Sequence, residues 1–207
     1  MLRTVTISVI IGTFLIGSYY VVAASYVQPE QQNKLGMALS DIRPGLTYEK
    51  FIALSEDDKA FLIQTMPSST RNLILEEARD RPSFAAESKD IMTEISGSSE
   101  LRMIKLTPVS GVKGYDAGGQ AAVYVSGKTT FLRLQDFGIA SGIDQKLYLT
   151  KDGTIDTGIE IGPLHASQGD QNYDISGIDH DTYNTLVIYS KPFGLYYGYA
   201  KFVKPEG

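Results

Sequence analysis

In the second half of the chain, hydrophobic side chains alternate with polar ones over short segments. In the segment FLRLQDF, Leu132 and Leu134 fall on one face and Arg133 on the other, which is the period of a half-buried strand. Similar runs follow, separated by turns rich in Gly and Asp: residues 146–150, 159–161, 171–175, 185–190 and 195–203. Short strands at this spacing predict a mainly β fold, an antiparallel β-sandwich or barrel-like domain over residues 101–207.

A hairpin is predicted at the start of this β domain. Residues 123–125 and 129–134 flank Ser126-Gly127-Lys128, a small-residue turn of the kind that joins antiparallel strands. The pair Gly118-Gly119 is interpreted as a turn at the entry of the first of these strands.

Residues 47–100 have helical rather than alternating spacing. Ser55 precedes three acidic residues, which is typical of a helix N-cap, and Pro67 ends that helix. A second helix is predicted at residues 68–80. The remaining residues are interpreted as a linker with a short helix within residues 85–95, so that 47–100 form a small helical region and linker.

The N-terminus predicts export. Arg3 precedes an uncharged run over residues 5–24, about long enough to cross a bilayer as an apolar helix, and Val22-Ala23-Ala24 resembles a cleavage site. Residues 1–24 are therefore predicted to be a signal peptide or a membrane anchor, and both alternatives stay open beside that of a buried core helix. Residues 25–46 are predicted to be a polar tether. The rest of the protein is then extracytoplasmic, anchored to the membrane through residues 5–24 or secreted.

Composition limits the chemistry of this chain. Its 207 residues carry a net charge of -5, with a pI near 5.1, and include no cysteine. An acidic chain lacks the excess of Lys and Arg that neutralises phosphates, so no nucleic-acid partner is expected. The missing cysteines exclude disulfides, thiolate nucleophiles and Cys-ligated metal centres.

Three sequence blocks resemble those of the DM-thirteen domain family, which occurs with DOMON domains and in Skeletor-type proteins. They are FLRLQDF with Ser141-Gly142-Ile143-Asp144 and Leu147-Tyr148-Leu149; residues 161–164 with Gly169-Asp170-Gln171-Asn172-Tyr173; and residues 183–193 running to Gly198-Tyr199-Ala200. The resemblance covers about residues 109–203.

The resemblance implies a β-rich domain proposed to act in electron transfer or oxidative modification at the cell surface. That role depends on a family cysteine, as a thiol or as a ligand of a group such as haem, and the matching position here is Ser190. Because a serine hydroxyl has no thiol redox chemistry and little affinity for soft metals, the family chemistry does not carry over through this residue.

Two histidines are candidate cofactor ligands. His165 and His180 are the only imidazoles, and a haem or metal site without cysteine would recruit them. Their alternative role is that of solvated loop residues.

Acidic loop residues are candidates for calcium. Asp136 and Asp144 occupy positions that match the family pattern, and oxygen-rich loops hold calcium, although no spacing resembles an EF-hand loop. The alternative for both is a structural role as turn-forming residues.

The residues favour a binding function over catalysis. No Gly-x-Ser-x-Gly element, phosphate-binding glycine loop or triad pattern is present in the sequence, so enzyme activity is not expected. On residues alone we expect a non-catalytic binding or assembly module with cell-surface protein or glycan partners. The resemblance implies the alternative, a component of an electron-transfer or oxidative-modification system.

Overall fold

The chain folds mainly into β-strands, with short helices ahead of most of them. The computed structural model describes residues 33–112 and 114–203. The apolar run at residues 5–24 lies outside these described residues, and so does the helix predicted for it. Within the described residues, no helix has both the length and the apolarity needed to cross a bilayer.

The helices lie before the first long strand. Their bounds are α1 (33–42), α2 (Tyr48–Ile52), α3 (Glu56–Thr65), α4 (Ser68–Arg79) and α5 (Asp90–Ser96). The described residues divide into two compact units, residues 33–53 with 66–74, and residues 54–65 with 75–203. In the first unit, Leu39, Phe51 and Ile74 are fully buried.

Local side-chain chemistry sets the helix bounds that the sequence predicts. Ser55 accepts a hydrogen bond from the backbone N–H of Asp58 at 3.1 Å and donates one to its carboxylate at 2.7 Å, so α3 begins at Glu56 as predicted. Pro67 separates α3 from α4, which also begins where predicted.

Residues 33–42 differ from the prediction. They fall in the segment interpreted as a polar tether, yet they form α1. Leu35 and Leu39, four residues apart on one helical face, are both buried. This single i, i+4 pair is too little periodicity to indicate a helix among the polar residues around it.

The strands form two sheets, and antiparallel pairing dominates in both. The strands are β1 (Phe84–Ala86), β2 (Arg102–Pro108), β3 (Ser110–Gly111), β4 (Ala117–Ser126), β5 (Thr129–Ile139), β6 (Gln145–Thr150), β7 (Ile159–Pro163), β8 (Gln168–Asp174), β9 (Thr185–Ser190) and β10 (Leu195–Lys201). The first sheet has the order β1-β8-β5-β4-β2 and the second has the order β3-β10-β9-β6-β7. The predicted mainly β fold is confirmed.

The inner faces of both sheets share one hydrophobic core. Leu132 and Leu134 of the first sheet and Leu147, Leu186 and Ile188 of the second belong to it. The alternation predicted for FLRLQDF is therefore confirmed. The outer face of the first sheet is partly covered by α5, where Met92 packs on Tyr124 and Phe131.

Of the two turns predicted around β4, one is confirmed and one needs correction. The hairpin at Ser126-Gly127-Lys128 is confirmed, with Ser126 opposite Thr129. Gly118-Gly119, however, lies inside β4 and not in a turn, because a bulge there brings Gly119, with a φ of 92°, against the backbone of β5. A Cβ on Gly119 would lie 2.6 Å from the carbonyl oxygen of Asp136, so only glycine fits.

The segment predicted as a linker contains a strand. Residues 84–86 form β1, which pairs in parallel with the edge of β8, and the helix expected within residues 85–95 begins only at Asp90. Ser83 and Ser167 fix the start of this pairing, since each backbone N–H donates to the other's side-chain oxygen at 2.9 and 3.0 Å. These contacts are tertiary, which is why local sequence spacing does not predict β1.

A glycine in the Ser141-Gly142-Ile143-Asp144 element makes room for a core tyrosine. A Cβ on Gly142 would lie 2.3 Å from the hydroxyl oxygen and 2.5 Å from the Cζ of Tyr197. Tyr197 is fully buried and packs on Tyr115, with ring centroids 4.4 Å apart, so it has little freedom to move away.

We expect Gly142→Ala to lower the free energy of unfolding by about 1–3 kcal/mol, the usual cost of overpacking a core. Denaturant unfolding of the purified protein measures this change. Gly118→Ala is the matched control, because a Cβ on Gly118 meets nothing within 4 Å. Equal stability of the two variants would show that the contact between Gly142 and Tyr197 is not tight.

Candidate functional site

A cleft of about 1000 Å³ opens on the first sheet. Arg133, which alternates with the core residues Leu132 and Leu134 and so points to the outer face, contributes to its lining. The residues that line the cleft are Phe84, Ala85, Ala86, Glu87, Ser88, Lys89, Gly118, Gly119, Arg133, Asp136, Phe137, Gly138, Gln168, Gly169 and Asp170. Strands β1, β4, β5 and β8 and the segment after β1 therefore all contribute to one concave surface.

Two glycines on neighbouring strands line the cleft at positions where the fold would also accept a side chain. Gly118 of β4 is directly opposite Gly138 of β5, and a Cβ on either would meet nothing within 4 Å. Both have ordinary φ values, unlike Gly119 beside them. Glycine within a strand weakens it, and its presence often marks a place where a ligand or another backbone approaches closely. The open cleft thus depends on the absence of these two side chains.

Arg133 holds the acidic wall of the cleft in place. Its side chain is only 3% exposed and donates to the carbonyl oxygen of Glu87 at 2.9 Å and to Oδ1 of Asn172 at 2.6 Å. It also forms an ion pair with Asp170. The other carboxylate oxygen of Asp170 accepts from the backbone N–H of Asp136 at 2.9 Å. Since a buried cation must be paired, this network fixes the positions of β5, β8 and Glu87 relative to one another.

Glu87 fastens the segment after β1 to the edge of β8. Its carboxylate accepts from the backbone N–H of Asn172 at 2.7 Å, and its own N–H donates to the carbonyl oxygen of Asp170 at 3.0 Å. The second carboxylate oxygen lies 2.7 Å from Nδ1 of His165. Sequence spacing gives no signal for Glu87, because its partners are about 80 residues away.

His165 contacts Glu87 and does not line the cleft. Its Nδ1 is taken by Glu87, its ring lies 4.4 Å from the ring of Tyr173, and its backbone N–H donates to Oε1 of Gln171 at 3.1 Å. The exposed edge of the imidazole faces solvent, with the side chain 41% exposed. These contacts link His165 to Glu87, Gln171 and Tyr173.

The Gly169-Asp170-Gln171-Asn172-Tyr173 element organises the loop that carries His165. Oε1 of Gln171, a fully buried side chain, accepts from Ala166 N–H at 3.1 Å and from the Tyr173 hydroxyl at 2.7 Å, while its Nε2 donates to the Ala166 carbonyl at 2.8 Å. Burial raises the pKa of Tyr173, so its hydroxyl stays protonated as a donor.

His180 lies in a different place, the loop between β8 and β9. Its Nδ1 is buried and 3.8 Å from a carboxylate oxygen of Asp181. Lys105 of β2 holds this loop, donating to the carbonyl oxygen of His180 at 2.7 Å and to the carboxylate of Asp181 at 2.6 Å. Neither histidine lines the cleft, and each is placed beside its own carboxylate.

Asp136 and Asp144, the candidate calcium ligands, are separated by the fold. Asp136 lines the cleft, whereas Asp144 lines a smaller cavity of about 280 Å³ and pairs with the buried Lys59 of α3 at 2.7 and 2.9 Å. Both adopt positive φ values, 46° and 49°, as turn-forming Asp residues do. Within the described residues, no group of three His, Asp or Glu side chains is arranged to hold a metal ion.

The carboxylate of Asp136 is the acidic group of the cleft that remains available. The residue is exposed, and among the described residues only its backbone N–H makes a hydrogen bond. Asp170, by contrast, uses both oxygens within the protein. A ligand in the cleft would therefore find one free carboxylate acceptor.

Ser190, at the family cysteine position, faces the core. It follows Leu186 and Ile188 on the inner face of β9, opposite Gln145 of β6, and is fully buried. Its Oγ has no hydrogen-bond partner among the described residues. A side chain at this position is shielded from solvent by both sheets.

The fold defines a class of protein: a two-sheet β domain with an open cleft on the outer face of its first sheet. Residues 112–202 match the family model described as Electron transfer DM13, as the resemblance predicts. Comparisons with curated proteins and with solved structures returned no match.

We expect Ser190→Cys to produce a thiol that is stable but unreactive. The introduced thiol is the only one in the chain, and burial in an apolar core raises a thiol's pKa and blocks access. Replacing an unpaired hydroxyl by a thiol, which behaves as a small hydrophobe, should raise the free energy of unfolding by about 1 kcal/mol.

Maleimide labelling of the folded full-length variant, with and without denaturant, checks this expectation. The controls are the unmodified chain, which lacks a thiol, and Ser88→Cys, which places one at an exposed position that lines the cleft. Rapid labelling of Ser190→Cys in the folded state would show that position 190 is reachable and that a redox role there is compatible with the fold.

Proposed function

We propose that this DM13-containing chain is a non-catalytic saccharide-binding module that acts outside the cytoplasm, with the cleft on the first sheet as its binding site. The observation that carries the proposal is the pair Gly118 and Gly138, which leaves backbone exposed where the fold would accept side chains. A bare strip of backbone beside polar groups suits a flat ligand ring that approaches closely.

The groups around this strip favour an uncharged polar ligand. Asp136 supplies a free carboxylate acceptor and Lys89 an exposed ammonium donor, the latter 5.6 Å from the ring of Tyr124. Because one group of each sign is available, a strongly charged ligand would meet repulsion from one of them. Hydroxyl groups donate and accept, so a polyhydroxylated ring satisfies both.

Phe84 adds an apolar surface at the rim. Its side chain is 73% exposed, although it lies in a strand that is fastened at both ends by Ser83 and Glu87. A large exposed aromatic ring on a fixed strand is typical of a contact surface, and it would stack on the apolar face of a sugar ring.

The same geometry argues against hydrolysis of the bound saccharide. Glycoside hydrolases use two carboxyl groups, one as an acid and one as a nucleophile or base. In the cleft, Asp170 is ion-paired with Arg133 and Glu87 is bonded to His165 and to Asn172 N–H, so only Asp136 is free. One free carboxylate supports recognition and does not make a catalytic pair.

The extracytoplasmic location is supported by the sequence pattern at residues 5–24, an uncharged run after Arg3. A chain anchored there or secreted would meet cell-surface proteins and glycans. This part of the proposal is independent of the cleft, because the run lies outside the described residues.

Electron transfer is the second candidate function. It is supported by the description of the DM13 family and by a stack of tyrosines on the second sheet. The chain has neither cysteine nor tryptophan, so its tyrosines are the redox-active side chains that such a function would use without a cofactor.

We expect the full-length protein, purified in detergent, to bind at least one of cellotetraose, maltotetraose and chitotetraose in calorimetric and NMR titrations. Gly138→Leu places a side chain in the cleft at a position where an added Cβ meets nothing within 4 Å, and it should weaken binding at least about tenfold, a loss of about 1.4 kcal/mol. Asp136→Asn, which keeps the backbone preference, should weaken it as well.

Gly36→Leu is the matched control, since a Cβ there also meets nothing within 4 Å and Gly36 does not line the cleft. Its affinity should equal that of the unmodified protein, and thermal unfolding of all variants verifies that they fold. Absence of binding to all three saccharides, or equal affinity of Gly138→Leu and Gly36→Leu, would overturn the proposal.

A further inference from the structure

Three tyrosine rings contact one another on the outer face of the second sheet. Tyr148 of β6, Tyr189 of β9 and Tyr196 of β10 alternate along their strands with side chains that face the core. The ring centroids of Tyr148 and Tyr189 are 6.2 Å apart at an edge-to-face angle of 79°, and those of Tyr189 and Tyr196 are 4.7 Å apart. The rings thus form a continuous series across three strands.

The buried end of the series has a proton acceptor. The Tyr148 hydroxyl donates to Oε2 of Glu160 on β7 at 3.0 Å, and the other oxygen of Glu160 is paired with Lys146 at 2.9 Å. Lys146 also pairs with Glu56 at 2.6 Å. Tyr148 is 7% exposed, so its proton has a carboxylate and not bulk water as its nearest acceptor.

Tyr148 and Tyr189 are neutral phenols at neutral pH. Burial, with the hydrogen bond to Glu160, raises the pKa of Tyr148 to about 12, and burial also raises the pKa of Tyr189. A neutral phenol that loses an electron becomes strongly acidic, so its oxidation is favourable only where the proton can leave at the same time. Tyr124 and Tyr173 lack this arrangement, because their hydroxyls donate to amide oxygens of Gln135 and Gln171.

The other end of the series is open to reaction partners. Tyr189 and Tyr196 are half-buried, and the Tyr196 hydroxyl accepts from the backbone N–H of Ile155 at 3.3 Å. Lys191, which follows this part of β9, is exposed and 3.3 Å from Glu56. An oxidant can therefore approach the outer rings, while the ring with the proton acceptor is protected.

We propose that Tyr148, Tyr189 and Tyr196 form a relay for one-electron oxidation, with Glu160 as the proton acceptor of Tyr148. A one-electron oxidant, such as a high-potential metal complex, takes an electron at Tyr189 or Tyr196 and is reduced. An electron then moves from Tyr148 to the oxidised ring, and the O–H bond of Tyr148 breaks. The proton moves to Oε2 of Glu160, and a neutral tyrosyl radical remains on Tyr148. A one-electron reductant reverses the step, and Glu160 returns the proton. This relay is independent of saccharide binding in the cleft.

Flash oxidation of the full-length protein with ruthenium tris(bipyridine) and persulfate tests the relay, with the radical followed by EPR and optical absorbance. The unmodified chain should give a long-lived tyrosyl radical that forms more slowly in D₂O. Tyr148→Phe and Glu160→Gln should each shorten its lifetime by about tenfold, and Glu160→Gln should also abolish the isotope effect, a change that loss of packing alone would not produce.

Tyr199→Phe is the matched control, because Tyr199 is an exposed tyrosine of β10 outside the series. It should leave the long-lived radical unchanged, and near-ultraviolet circular dichroism verifies the fold of each variant. If Tyr148→Phe and Glu160→Gln behave like Tyr199→Phe, the relay is refuted. Since none of these residues lines the cleft, saccharide binding is unaffected by either outcome.

Discussion

The buried charge of Arg133 is the constraint on which the outer face of the first sheet depends. A guanidinium that is 3% exposed must be paired, and it draws Asp170 and Asn172 of β8 and the carbonyl oxygen of Glu87 to one point. Removing a single partner of such a buried pair typically costs about 3–5 kcal/mol. The strands β5 and β8 and the segment after β1 are consequently held as a unit, and the cleft that they line keeps its shape without a ligand.

The same network fastens β1, an edge strand of the first sheet, because Arg133 binds the segment that follows it. The DM13 match begins at residue 112, so strands β1, β2 and β3 come from residues outside it. Of these, β1 and β2 occupy the two edges of the first sheet and β3 an edge of the second. Exposed edges invite pairing with other chains, and short or well-fastened edge strands limit it. The residues before the matched region therefore complete its two sheets. Some of them, residues 84–89, also line the cleft.

Local patterns predict the parts of this fold that local physics determines. Alternation predicts β5, β6 and β9, the cap at Ser55 predicts α3, and the turn at Gly127 predicts the hairpin. The strand β1 and the role of Glu87 depend on contacts with β8, which no spacing reveals. Local sequence patterns do not predict the cleft either, for a related reason. Gly118 resembles a turn residue in sequence, and only its register opposite Gly138 shows that the fold does not require it.

Alternation along β9 separates two chemical environments at consecutive residues. Ser190 points into the core and Tyr189 to the outer face, where it meets Tyr148 and Tyr196. A reactive group at position 190 would be enclosed between the sheets. On the outer face, Glu160 accepts a hydrogen bond from Tyr148, and Tyr189 and Tyr196 are half-buried. The relay proposed for the outer face therefore does not depend on the residue at position 190, because Ser190 and Tyr189 lie on opposite sides of the same strand.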